Sequence, residues 1–262
     1  MDELILSYSW ISPWDKQKMP VLFLGHGSPM NAIEENSFTE SFQVLGQQLP
    51  RPKVILCISA HWCTRGIAVT AMENPRTIHD FWWFPPELYQ VRYGARGSPE
   101  LANKIKEILS PIELELDYTW WLDHGSWSVL RHIYPHADIP VVQMSLDLTR
   151  PPQYHFDVAK QLRPLRDEWI LIVWSGNIIH NLWLVDFQNF NKDDYGYNWV
   201  REVQEKINQC IIEKDYEPLM HYREQGHSFE LAIPTPEHYL PLLYTLGLCW
   251  ESDQVEIFND KL

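Results

Sequence analysis

Two histidines in this sequence directly follow short apolar runs. His26 lies in the segment GHGSP after the run VLFL, and His61 lies in SAHW after VILCI. An imidazole exchanges protons near neutral pH and is a ligand for iron and zinc. Taken alone, the His26 motif is as compatible with a plain turn as with a site, and the His61 motif is better explained by a structural core histidine. Because such runs are typical of buried parallel strands, whose carboxyl ends meet at one edge of a sheet, the two motifs together predict a shared site.

Three further histidines stand among small or polar residues. His124 lies in DHGSW, His180 follows the segment SGN, and His238 lies in PTPEHY, where Pro236 fits the first turn of a helix and places His238 just inside it. Neutral imidazoles suit iron or zinc, and three of them leave coordination positions open. Because they carry no negative charge, such a centre would favour an anionic, bidentate catecholate.

Two competing kinds of site do not match the first motif. A phosphate-binding loop of the GxGxxG type needs a third glycine where this chain has Met30, and a nucleophile elbow needs the order GxSxG. His79 is compatible with either a pocket wall or an exposed turn. The remaining histidines have no motif around them and are predicted to be surface or structural residues: His132, His136, His155, His221 and His227.

Strands and helices alternate around these motifs. Apolar runs predict strands at Val21–Leu24, Val54–Ser59, Ile170–Trp174 and, near the end, Val255–Phe258. Helical patterns cover Thr39–Leu49, Ser98–Leu109, Trp127–Ile133, Tyr154–Arg163, Tyr197–Glu213 and Pro236–Leu246. The alternation predicts an α/β fold with a central, largely parallel or mixed sheet flanked by helices, and with the site at the carboxyl ends of the strands. We expect one domain over residues 19–262, after an N-terminal extension over residues 1–18.

The composition narrows the partners and the compartment. The chain has 262 residues, and 35 acidic against 21 basic side chains leave a formal net charge of −14, which disfavours nucleic acid and anionic membranes. The four cysteines form no CxxC pair, and the acidic start Met1-Asp2-Glu3 is unlike a secretory signal. These features lead us to expect a cytoplasmic protein whose partners are small molecules.

The five histidine motifs, taken in order, resemble those of the 4,5-DOPA extradiol dioxygenases, which are class III or LigB-type ring-cleaving enzymes. The resemblance runs from about Met19 to Gly247. It implies a metal held by His26, His61 and His238, with His180 as a fourth ligand or an acid/base group. It also implies that His124 is a proton shuttle. Related enzymes use a glutamate as third ligand, so Glu237 is the alternative to His238.

The resemblance also implies the reaction. A catechol, with DOPA as the first candidate, would bind Fe(II) together with dioxygen, while His124 and His180 transfer protons and the ring opens beside the diol. Opening at the 4,5-bond of DOPA would give 4,5-seco-DOPA, which cyclises to betalamic acid. Zn²⁺ could replace iron in the purified protein. The expected substrate-binding residues are Ser28, His79, Trp82, Trp83 and Asn177.

One segment departs from the family pattern, and the histidine motifs are also compatible with two other functions. Trp82 and Trp83 stand where many relatives have glycines, so they are expected to narrow or flatten a pocket wall. Because imidazoles alone do not select iron, a zinc-dependent hydrolase is an alternative. A non-catalytic binding protein of the Memo type, which shares the fold, is the other.

Overall fold

A computed structural model of the chain describes residues 9–11, 18–185 and 196–260. The strands are β1 (Ser9–Ile11), β2 (Val21–Gly25), β3 (Val54–Thr64), β4 (Ile67–Thr70), β5 (Leu114–Asp117), β6 (Val141–Asp147), β7 (Ile170–Gly176) and β8 (Glu256–Phe258). The helices are α1 (Ser37–Gln48), α2 (Pro99–Ile108), α3 (His124–Ile133), α4 (Pro152–Leu162), α5 (Pro164–Asp167), α6 (Asn198–Glu213), α7 (Glu217–Met220), α8 (His227–Ala232) and α9 (Leu240–Leu248).

The strands form one sheet in the order β5-β4-β6-β3-β7-β2-β1-β8. Strands β6, β3, β7 and β2 are parallel neighbours, as are β4 and β5. The pairing is antiparallel between β4 and β6 and at the β2-β1-β8 edge. The predicted α/β architecture with a mostly parallel, mixed sheet is therefore confirmed.

Helices cover both faces of this sheet because the central strands β2, β3 and β7 are apolar on both sides. On β2, Val21 and Phe23 belong to one buried cluster, and Leu22 and Leu24 belong to the other. The first cluster packs under α4, α6 and α9, and the second packs under α1 and α3. Side chains that alternate along a strand point to opposite faces, so an uninterrupted apolar run requires cover on both.

Strand β6 has no counterpart among the strands predicted from the sequence, because buried polar residues interrupt its apolar pattern. Gln143 and Ser145 are fully buried. The Gln143 side chain donates to Asp123, and the Ser145 hydroxyl accepts the backbone N–H of Ala68 at 2.8 Å. These partners offset the cost of burying polar groups, and they come from other parts of the chain.

Both ends of the described chain add to the sheet edge. Within the predicted N-terminal extension, Ser9–Ile11 pair with β2 and also with β8, which matches the strand predicted at Val255–Phe258. Residues 1–8 and 12–17 of that extension lie outside the described residues. Over the part of the chain that the structure describes, no helix is both long enough and apolar enough to cross a bilayer.

A buried ion pair connects the start of the domain to the end of α9 and the loop before β8. Arg166 donates to the Met19 carbonyl at 2.8 Å, to the Leu248 carbonyl at 2.9 Å and to the Asp253 carboxylate at 2.6 Å. Lys18 lies 2.7 Å from the other oxygen of Asp253. Burial alone would raise the pKa of Asp253, but the hydrogen bonds from Arg166 and Lys18 lower it below its usual value.

Replacing Arg166 by Met is expected to lower the free energy of unfolding by about 3 kcal/mol, because it leaves a buried carboxylate and two carbonyls short of a donor. Urea unfolding followed by circular dichroism measures this loss. The matched control is Arg51→Met, which breaks the exposed pair with Asp138 and is expected to change stability far less. Equal losses in the two variants would contradict the assigned role of Arg166.

Candidate active site

His26 follows β2 at the carboxyl edge of the sheet. Its backbone N–H donates to the Gly176 carbonyl at 3.2 Å, and its Nδ1 lies 2.9 Å from the Ser175 hydroxyl. The side-chain amide of Asn177 lies 3.1 Å from its Nε2 and so borders the same space. Gly27 has φ of +63°, in the left-handed region that favours glycine, and its N–H donates to Asn177.

His61 lies inside β3, because the strand continues to Thr64 instead of ending at Ser59 as predicted. Pairing of β3 with β7 stops at Ser59, and pairing with β6 shifts register between Ile58 and Cys63. The register break lets this stretch of β3 leave the regular ladder. The Nε2 of His61 comes within 3.2 Å of the His26 Nε2.

His124 is the first residue of α3, a helix capped by the Asp123 side chain. Its ring Nδ1 lies 2.9 Å from Asp80 Oδ2, and its backbone N–H donates to Asp80 Oδ1 at 2.9 Å. The same Oδ2 lies 3.7 Å from His61 Nδ1. Asp80 is absent from the residues singled out in the sequence, since it follows His79 in a segment without strand or helix periodicity.

His238 lies in a turn that precedes α9, so the prediction that the helix begins at Pro236 and includes His238 is wrong. Helix α9 begins at Leu240, although the Leu240 N–H already donates to the Pro236 carbonyl at 2.9 Å. The His238 carbonyl accepts the Asn177 N–H at 2.9 Å. A Cβ on Gly176 would lie 2.3 Å from that carbonyl oxygen, so glycine is needed for the turn to approach β7.

His180 and Glu237 flank His238. The His180 ring stacks on the His238 ring, with centroids 3.5 Å apart and planes 12° from parallel. The Glu237 carboxylate lies 3.3 Å from His238 Nδ1 and accepts the Thr235 hydroxyl at 2.6 Å. Glu237 therefore contacts the outward nitrogen of His238.

Three imidazoles of this cluster share one arrangement. The Nδ1 atoms of His26, His124 and His238 each meet an oxygen-bearing side chain, so Nε2 is the ring nitrogen that this oxygen does not engage. Histidines that bind metals usually donate their other N–H to a carboxylate or another oxygen, which sets the tautomer and the ring orientation. The arrangement therefore fits a metal centre.

Burial keeps these rings neutral. Desolvation lowers the pKa of His26, His61 and His238 below the ordinary value, and nearby imidazoles add to this in each case. Desolvation and the neighbouring His238 lower the pKa of His180 to about 3. Neutral imidazole is the form that binds a metal and that accepts a proton.

The carboxylates around the rings are ionised. Burial by itself raises the pKa of Asp80, but hydrogen bonds from His124 bring it below the usual value. Burial also acts to raise the pKa of Glu237, yet hydrogen bonds from His238 and Thr235 lower it to about 2. Both groups are therefore acceptors for imidazole N–H donors at neutral pH.

Two separate sets of three side chains have ligand atoms close enough together to hold an ion. A ring nitrogen from each of His26, His61 and His124 lies within 4.8 Å of the others, and so do ligand atoms of His180, Glu237 and His238. The ring centroids of His26, His61 and His238 are 4.9, 5.3 and 4.9 Å apart. Rings bound to one ion at about 2.1 Å have centroids roughly 4.6 to 5.3 Å apart for angles of about 90° to 109° at the ion.

The other two rings depart from that spacing. The centroid of His124 is 3.9 Å from that of His61 and 5.7 Å from that of His26. The nearly parallel stack of His180 on His238, at 3.5 Å, places their nitrogens side by side instead of converging on one point. The ring spacing therefore favours His26, His61 and His238 as the set that shares an ion.

The predicted substrate residues occupy different environments. Asn177 is buried against His26, and Ser28 is buried as the cap of the short turn Pro29–Ala32. His79 contacts the Val91 carbonyl and the ring of Phe81, which also packs on His124. Trp82 and Trp83 are 73% and 88% exposed, and Trp83 has φ of +71°, in the left-handed region. That backbone conformation is costly for a bulky residue.

Comparison with known proteins extends these observations to the whole domain. Residues 19–262 match the family described as the catalytic LigB subunit of aromatic ring-opening dioxygenase. A 4,5-DOPA dioxygenase extradiol of Escherichia coli K12 is 48% identical over 90% of this chain and 87% of its own length. The protein of the same name from Beta vulgaris is 34% identical over 91% of this chain and 90% of its own length.

A solved structure is similar to this chain in both fold and sequence. The crystal structure of an uncharacterized protein from Escherichia coli K12 superposes with a TM-score of 0.76 at 45% sequence identity. The similarity covers 89% of this chain and 90% of that one.

Proposed function

The chain belongs to the LigB family and is an extradiol ring-cleavage dioxygenase, and on that premise we propose that it opens the ring of L-DOPA at the 4,5-bond. The product would be 4,5-seco-DOPA, which cyclises to betalamic acid. The relatives from Escherichia coli and Beta vulgaris, both named for this substrate, support the proposal. Membership of a family of ring-cleaving enzymes disfavours both a zinc hydrolase and a non-catalytic binding protein.

The observation that carries the proposal is the spacing of the His26, His61 and His238 rings, which matches that of three ligands of one ion. We assign these three side chains as the ligands and Fe(II) as the ion in the active enzyme. Zn²⁺ fits the same imidazoles and could occupy the site in purified protein. Held by these three imidazoles, Fe(II) would supply Lewis-acid and redox chemistry for the reaction of a catechol with dioxygen.

His124 is the group that takes a proton from the catechol. Its Nδ1 is engaged by Asp80, so its Nε2 is available on the opposite edge of the ring, in the cluster with His26 and His61. Removing this proton makes the catechol a better ligand and a better electron donor.

His180 is the second proton-transfer group. Its neutral ring stacks on His238 and therefore stays beside the ion without competing for a coordination position. Protonation during turnover would make it a strong acid, able to pass the proton on as the ring opens. Asn177, next to the Nε2 of His26, is placed to donate a hydrogen bond to a substrate oxygen.

Trp82 and Trp83 are proposed to form the rim of the substrate pocket. They follow Asp80 and Phe81, which contact His124 directly, and they expose most of their surface. Flat, exposed indoles suit stacking against an aromatic substrate. Ser28 and His79 contribute to the wall behind the rings.

Oxygen consumption by protein loaded anaerobically with Fe(II) tests the proposed function. We expect L-DOPA to consume one O₂ per molecule and to yield a yellow product that mass spectrometry and NMR identify as betalamic acid. Tyrosine is the matched control, because it keeps the side chain but lacks the second hydroxyl needed for chelation. Cleavage of simple catechols but not L-DOPA would contradict the substrate assignment. No oxygen uptake with any catechol would contradict the assigned reaction.

A further inference from the structure

We propose that Asp80 is a positioning residue that selects the tautomer and the orientation of His124. The proposal rests on the proposed function, in which His124 takes the proton of the catechol. It starts from the hydrogen bonds that Asp80 forms at the first turn of α3. One carboxylate oxygen of Asp80 bonds the backbone N–H of His124, and the other bonds the Nδ1 of the His124 ring.

The carboxylate leaves His124 one suitable tautomer. Asp80 Oδ2 lies 2.9 Å from the ring Nδ1, and a carboxylate accepts hydrogen bonds but does not donate them. The proton of a neutral His124 ring therefore resides on Nδ1, and the Nε2 lone pair remains free. Without that acceptor, imidazole would also populate the tautomer protonated at Nε2, which cannot take a proton from a substrate.

Asp80 is itself held in place. Its Oδ1 accepts the backbone N–H of His124 at 2.9 Å, at the N-terminus of a ten-residue helix, where N–H groups lack partners within the helix and negative charge is stabilised. The neighbouring Phe81 packs edge-on against the His124 ring at 5.4 Å. Two hydrogen bonds and one ring contact therefore join Asp80 and Phe81 to His124.

The same carboxylate links two histidines with different roles. Oδ2 lies 3.7 Å from His61 Nδ1, on the outward edge of a ring assigned as a ligand. A single oxygen thus faces the outward nitrogens of both His61 and His124. This arrangement sets the two rings relative to each other, with centroids 3.9 Å apart.

Asp80→Asn tests the inference, because an amide cannot accept on both sides. If the amide oxygen of this variant still accepts the backbone N–H of His124, the amide NH₂ faces the ring Nδ1. Nδ1 must then accept a hydrogen bond, so the ring proton has to reside on Nε2. Nitrogen NMR spectra of zinc-loaded, histidine-labelled protein should show that switch for His124. In the iron-loaded enzyme we expect kcat to fall between about 10²- and 10⁴-fold, with KM for the catechol nearly unchanged.

Two further variants separate positioning from other effects. Asp80→Glu keeps a carboxylate and should retain the Nδ1-protonated tautomer and much of kcat. In a His124→Gln background, Asp80→Asn should reduce kcat little further, because its target has been removed.

An unchanged His124 tautomer in Asp80→Asn would overturn the proposal, as would a full additional loss of kcat in the His124→Gln background. The NMR result does not depend on turnover. Should wild-type protein cleave no catechol, the tautomer switch would therefore still test the role of Asp80 separately from the proposed function.

Discussion

Replacing His238 by Ala is expected to remove the bound metal and, with it, all detectable ring cleavage. The ring of His238 completes a set with His26 and His61 whose centroid spacings match three ligands of one ion. Loss of a partner outside the coordination sphere typically weakens metal binding about 10- to 100-fold, so loss of a ligand should exceed about 100-fold. Iron per chain, determined after anaerobic loading and dialysis, measures the effect alongside oxygen uptake.

The control for this variant is His227→Ala. His227 is an exposed histidine that pairs with Glu230 on the surface, and its loss should leave both metal content and turnover unchanged. Stoichiometric iron in His238→Ala would exclude His238 from the ligand set. The alternative set of His26, His61 and His124 would then be the better assignment.

Replacing His124 by Ala is expected to give the opposite combination: full metal content with little turnover. Its ring lies 3.9 Å from that of His61, closer than two ligands of one ion, and its outward nitrogen is bound to Asp80. Because general acid/base catalysis typically contributes about 10²- to 10⁴-fold, kcat should fall by that factor while KM changes little. Steady-state oxygen uptake, normalised to bound iron, is the measurement.

The matched control is His221→Ala, since His221 is exposed and pairs with Glu217 and Glu224. Added imidazole should restore part of the lost rate in His124→Ala by entering the space vacated by the ring. Loss of iron from this variant would make His124 a ligand. An undiminished kcat would remove it from the proton-transfer step.

The pair of variants separates two roles that one residue type can fill. Imidazole serves as ligand or as acid/base group depending on whether its free nitrogen meets an ion or a substrate proton. His238 and His124 both have Nδ1 held by a carboxylate and both are buried, so neither burial nor hydrogen bonding distinguishes them. What distinguishes them is the distance of each ring from the rings of His26 and His61.

Local patterns were sufficient for most of the architecture. Uninterrupted apolar runs predicted β2, β3 and β7, because strands covered on both faces have no solvent side that requires polar residues. Strand β6 escaped prediction because its buried Gln143 and Ser145 are satisfied by partners from Asp123 and Ala68. A sequence window around β6 does not contain those partners.

The site was predicted in its residue types but not in its organisation. Histidines after strand ends indicated a shared centre, whereas Asp80 lies in an irregular segment and gains its role only through α3. The turn at His238 was predicted as a helix because Pro236 fits a first helical turn. In the structure the His238 carbonyl accepts the Asn177 N–H, next to a glycine that leaves room for this approach, and α9 begins only at Leu240.

The sequence by itself determined the fold class, the five imidazoles and the resemblance to the LigB-type enzymes, since strand periodicity and motif order are local properties of the chain. The tertiary structure decided which imidazoles share an ion, which stack beside it and which carboxylate orients them. His26 meets Ser175 across 149 residues and Asn177 across 151. Such distances depend on strand order and register, because only the assembled sheet brings those strand ends to one edge.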